Sequence, residues 1–114
     1  MSIIVDGEVY IDVDDAVKRV GGNLGLYKKL LVRFLESNDM SALETAVGSG
    51  NVEEAARLAH TIKGVSSNLS LVKVASASVD LEHALKENQD HSAGLSALKQ
   101  AFDITIKEIA EFIK

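Results

Sequence analysis

His60, Lys63 and Gly64 stand together in the stretch ARLAHTIKGVSSNLS, Ala56 to Ser70. An imidazole is ordinarily uncharged near neutral pH and is then a nucleophile as well as a hydrogen-bonding group. A lysine three residues further along a helix places a compact cation beside anything anionic attached to that ring. Gly64 in mid-helix costs up to ~1 kcal/mol relative to alanine, and nothing about helix formation asks for it. A glycine beside the imidazole does let a partner reach the ring.

Advancing ~100° per residue gathers Ala55, Leu58, Ala59, Ile62, Val65 and Leu69 about one direction, roughly 190° from His60. His60 therefore points away from the buried side. Its neighbours on the open face are Ala56, Arg57, Lys63 and Gly64, with Ser67 one turn further. A solvated helix face is usually crowded with Glu, Lys and Gln; here the residues are small. An exposed imidazole, cut-back neighbours and a nearby cation suit an anionic group that a partner delivers and collects. A phosphoryl group fits. The plainer alternatives are a surface histidine and a snorkelling lysine.

The elements that must hold this face follow from the apolar pattern. Residues 1–11 read as extended: IIVDGEVYI carries Asp6-Gly7 between apolar runs, a hairpin signal, with an arm lying on the helices as the alternative. Asp12 can cap a short helix with Val13, Ala16, Val17 and Val20 on one side. After GGN, Asn23 can cap a helix from about Leu24 to Ser37, whose stripe is Leu24, Tyr27, Leu30, Leu31, Phe34 and Leu35. A short helix spans about Met40 to Val47. Asn51 caps the His60 helix, another helix runs from Val72 to Lys86, and Asp90 can cap the last. That last stripe is Leu95, Leu98, Phe102, Ile106, Ile109 and Phe112/Ile113. Four long amphipathic helices with short connections predict an all-α, antiparallel up-and-down four-helix bundle, with an extended N-terminal arm and a short N-terminal helix. The two short helices would serve as a lid and a spacer.

The 114 residues predict one domain, residues 1–114, large enough to bury a core without staples. There is no cysteine and no proline. A net charge of -5 argues against nucleic acid as a general partner. No segment approaches the ~20 apolar residues of a membrane span, and MSIIVDGEVY is not a signal peptide, so a cytoplasmic location with no membrane partner is expected.

With AHTIKG and SSNL in this order, the chain resembles the His-x-x-Lys-Gly signature of histidine-containing phosphotransfer (HPt) domains. VGGNLGLYKKLLVRFLES is similar to that family's Gly-Gly-Asn segment and Leu-rich helix, and VDLEHALKE to its Leu-Glu helix. The resemblance implies a four-helix bundle, as the periodicity does. It implies that His60 accepts the phosphoryl group and that Lys63 offsets its charge. Glu82 matches the position whose side chain hydrogen-bonds the acceptor ring. Independently, Glu82 lies roughly 110° from the stripe Val74, Ala77, Leu81, Ala84 and Leu85, with the small residues Ala75 and Ser78 on its side, where a neighbouring helix can come close. The alternative is an ordinary solvated carboxylate.

Ala56, Arg57, Gly64 and Ser67 are then the expected partner-binding residues. Ser70 stands where the family often has glycine, which bears on the turn after the histidine helix. The implied partners are response-regulator receiver domains and a hybrid sensor histidine kinase. The Mg²⁺ and acidic cluster of the chemistry would belong to the receiver. No nucleotide loop is present, and no cofactor or metal of its own is expected. Three rivals stand beside this reading. None of His60, His83 and His91 has the Glu three positions earlier that a di-metal bundle uses. A docking bundle without transfer would not need His60, Lys63 and Gly64 together. The phosphoacceptor domain of a chemotaxis-type kinase would be expected with an ATPase portion, so a free-standing relay protein is the expectation.

Overall fold

The computed structural model describes all of residues 1–114. Two strands, β1 (Ser2–Val5) and β2 (Glu8–Asp12), precede six helices: α1 (Val13–Arg19), α2 (Leu24–Glu36), α3 (Asp39–Gly48), α4 (Val52–Asn68), α5 (Val72–Lys86) and α6 (Ser92–Phe112). The four long helices, α2, α4, α5 and α6, form the bundle, and α4 packs chiefly on α5.

The N-terminal segment is a hairpin rather than an arm. Asp6 (φ 51°) and Gly7 (φ 80°) both take the left-handed conformation that a two-residue turn needs to match strand twist. The strands pair antiparallel with an irregularity between Ile3 and Ile4. Such a hairpin is marginal alone; here Tyr10 and Ile11 of β2 are buried, and β2 packs on α5.

Three helices begin as their cap residues predict. Asp12, Asn23 and Asn51 accept from the backbone N–H of Asp15, Leu26 and Glu54 at 3.1, 2.9 and 3.2 Å. The fourth expectation is corrected. The residue at the head of α6 is His91, and the Asp90 carboxylate instead accepts from Ser92 N–H at 2.9 Å, tightening the turn before the helix. α3 is more than a spacer, because it buries Met40, Leu43 and Ala46 and packs along α4.

The core stripes are rotated slightly from the sequence reading. On α4, Val65 is 39% exposed and Ser66 is fully buried. On α2, Leu24 in the first turn is exposed, while Tyr27, Leu31 and Phe34 are buried. On α6, Leu98, Ala101, Thr105 and Ile109 form the buried line, flanked by half-buried Leu95, Phe102, Ile106 and Phe112. The period is helical as expected. The inner line also takes in the small polar residues Ser66, Ser78 and Thr105, all fully buried.

The connection from α4 to α5 fixes the bundle end on which α1 lies. Ser70 is buried and adopts φ 55°, the conformation a glycine would take freely. Its side chain supplies what glycine cannot, since Ser70 Oγ–H donates to Asp15 Oδ2 at 2.6 Å; its backbone carbonyl also accepts from Asp12 N–H at 3.0 Å. One residue earlier, Tyr27 Oη–H donates to the Leu69 carbonyl at 2.8 Å, tying α2 to the end of α4.

Candidate functional site

His60 lies in the middle of α4, on the side away from its buried residues, and its side chain is 64% exposed. Across the helix interface, α5 presents Glu82, whose side chain is only 12% exposed. The imidazole Nδ1 is 3.1 Å from Glu82 Oε2 and 3.3 Å from Oε1. A carboxylate accepts only, so this contact assigns the proton to Nδ1 and leaves the lone pair on Nε2.

The close approach comes from the small residues between the helices. Ala55, Ala56 and Ala59 on α4 and Ser78 on α5 are all buried. Ser78 turns its hydroxyl onto the Val74 carbonyl at 2.7 Å, so its polarity is satisfied within its own helix.

Glu82 is held from a second side. Lys86 Nζ, one turn further along α5, is 2.8 Å from the same Oε2. Partial burial pushes the Glu82 carboxyl up, but the hydrogen bonds from Lys86 and then His60 outweigh it, and the group sits below the ordinary carboxylate range. Glu82 is thus an ionised acceptor shared by a permanent cation and the imidazole. Lys86 was not singled out from the sequence. Its signal was the Glu82–Lys86 spacing of four on one helix, which places the pair side by side.

His60, Glu82 and Lys86 border a cleft of about 660 Å³ that runs toward the start of α4 and the end of α5. Ala56 belongs to its floor: at 8% exposure it is a core residue, and only the cleft side of it is open to a partner. Arg57 is exposed on the cleft wall, where its guanidinium pairs with Glu54, with Nε 2.9 Å from Oε1. Beyond His60, toward the end of α4, Lys63 is half-buried and enters no ion pair, and Ser67 is exposed. A Cβ added at Gly64 meets nothing within 4 Å. His83 is exposed, and His91 is at the head of α6. No group of three or more His, Cys, Asp or Glu side chains is placed to hold a metal ion.

An ionised carboxylate fixing one nitrogen of an exposed histidine in the seam of a helical bundle is an arrangement that presents the other nitrogen as a nucleophile. The chain matches the model of the Hpt domain over residues 29–112, and it belongs to that family. Its function is therefore histidine phosphotransfer in a phosphorelay. It is a phosphoryl carrier rather than an enzyme, working with receiver domains and kinases. Comparison with curated proteins and with solved structures finds no match. No helix is long and apolar enough to cross a membrane.

Proposed function

We propose that His60 is the phosphoacceptor, that residues 1–114 act as one phosphotransfer domain in the cytoplasm, and that it shuttles the group between the aspartates of response-regulator receivers fed by a hybrid sensor kinase. The observation that carries the assignment to His60 is the Nδ1–Glu82 contact, which leaves Nε2 facing outward on a ring that is 64% exposed.

In the transfer, the Nε2 lone pair attacks phosphorus of the receiver's aspartyl phosphate. The Nε2–P bond forms as the P–O bond to the aspartate breaks, and the aspartate leaves as a carboxylate. The ring keeps its Nδ1 proton and becomes cationic, and Glu82 balances that charge. The return step reverses these bonds. Lys63 serves as counter-charge for the phosphoryl oxygens, and Gly64 leaves the approach to them open. Ser67, Arg57 and the cleft floor at Ala56 meet the partner. Divalent-metal assistance belongs to the receiver.

The test is to incubate the protein with a phosphorylated receiver. An acid-labile, base-stable phosphate is expected at His60. His60→Gln is expected to abolish it while leaving the melting temperature nearly unchanged, since an exposed side chain contributes little to the core. Phosphate retained in that variant, or found on His83, refutes the assignment.

A further inference from the structure

Glu82 has two partners on one oxygen, and only one of them is the histidine. Lys86 Nζ lies 2.8 Å and His60 Nδ1 3.1 Å from Oε2, so the ammonium is within about 6 Å of the imidazole. Lys86 is itself 62% exposed, so this contact is not part of the core. A bare carboxylate against Nδ1–H favours a second proton on Nε2, because the doubly protonated ring is a cation beside an anion. A ring protonated at both nitrogens has no lone pair with which to attack phosphorus. The acceptor therefore needs Glu82 for orientation but is disabled if the full charge of Glu82 reaches it.

We propose that Lys86 is a positioning residue that acts through Glu82: by taking up part of the carboxylate's charge, it keeps the His60 ring singly protonated and Nε2 free to accept the phosphoryl group. This rests on His60 being the acceptor. The other charged groups around the ring are accounted for. On α4, Arg57 is taken by Glu54, Glu53 lies further along the cleft, and Lys63 makes no ion pair. On α5, His83 is the exposed neighbour of Glu82. From α3, which packs on α4, Asp39 acts on Arg57. Only Lys86 shares an atom with the contact that orients the ring.

The same compensation affects the phosphorylated state. The phospho-imidazole is cationic, and a carboxylate partly neutralised by Lys86 stabilises it less. The group is then held less tightly and is more readily given up, which suits a carrier that must both load and unload.

The experiment uses phosphoramidate as the donor. The Nε2–P bond forms as the P–N bond of the donor breaks, and ammonia leaves. Loading is followed against pH for the parent, Lys86→Met, Lys86→Arg, Glu82→Gln and the Glu82→Gln/Lys86→Met double variant, each compared with the parent so that the donor's own titration cancels. If Lys86 offsets about half of the carboxylate charge, its removal returns that charge to an oxygen about 3 Å from the ring, which in a water-like dielectric moves the midpoint of the loading profile upward by about half a pH unit. That shift is expected in Lys86→Met, should be absent in Lys86→Arg, and should vanish when Lys86→Met is made in the Glu82→Gln background. An unmoved profile in Lys86→Met overturns the inference. So does an equal shift in both backgrounds, which makes Lys86 a direct through-space charge instead. His60→Gln is run alongside: if it still loads, the acceptor assignment fails, whereas an inert His60→Gln with an unmoved Lys86→Met profile removes only the role of Lys86.

Discussion

Gly64 is where access and stability can be separated at a single residue. It lies one turn after His60 on the same face, and a methyl group placed there meets no neighbour. The glycine is therefore not required by packing within the bundle. Gly64→Ala should stabilise the fold by up to ~1 kcal/mol, from helix propensity and a less flexible unfolded chain. Gly64→Gln should retain part of that gain. On the proposed role of Gly64 in leaving the approach to His60 open, both should slow phosphotransfer from a receiver, Gln more than Ala, because they fill that space. Thermal melts and transfer rates on the same preparations check this. A variant that melts lower yet transfers at the parent rate when folded would return Gly64 to ordinary packing.

At the scale of elements, α4 is the helix whose placement matters most, and its start is set by Asn51. The side-chain oxygen of Asn51 satisfies the N–H of Glu54, and Glu53 and Glu54 add negative charge at the positive end of the helix dipole. Asn51→Ala should lower stability by about 0.5–2 kcal/mol, read from urea unfolding. His60 is nine residues further on, at the seam with α5, and its position is fixed by helix packing rather than by the cap. Transfer per folded molecule should therefore be unchanged. A loss of transfer beyond the loss of folded protein would show that the first turn of α4 helps to place His60.

For the molecule as a whole, one buried hydroxyl joins helices that are distant in sequence. Tyr27 on α2 is fully buried, meets the Leu69 carbonyl at 2.8 Å, and packs edge-on against Phe112 of α6 at 6.3 Å between ring centres. Burial first, and the negative charge of Asp12 second, push its hydroxyl from the ordinary 10.0 up to about 12. A raised value means that the folded state holds the proton more tightly than the unfolded chain. The stabilisation is thus fully present below pH 10 and is lost as pH rises through about 12. Tyr27→Phe should cost about 1–3 kcal/mol at neutral pH, because a buried carbonyl loses its donor. It should also flatten the tyrosine part of the alkaline decline. Chemical denaturation at pH 7 and at several values above 10 measures both effects.

The sequence alone determined the helical class, three of the four helix starts and the orientation of His60. Each of these is set within one turn of chain, by a side-chain oxygen three residues before an N–H or by a 3.6-residue period. The resemblance of AHTIKG and its flanking segments led to the family for the same reason, since the signature lies on one helix face. Tertiary structure decided what depends on the distance between helices. Val65 and Ser66 differ by ~100° on α4, so periodicity cannot say which of them the neighbouring helices admit; the serine is buried and the valine is exposed. Ser70 takes a glycine-like backbone because Asp15, 55 residues away in the chain, accepts its hydroxyl. Glu82 could be read from sequence as facing the right way. Its contact with His60, and the presence of Lys86 on the same oxygen, exist only because buried alanines on α4 and Ser78 on α5 let the two helices approach until a carboxylate on one reaches an imidazole on the other.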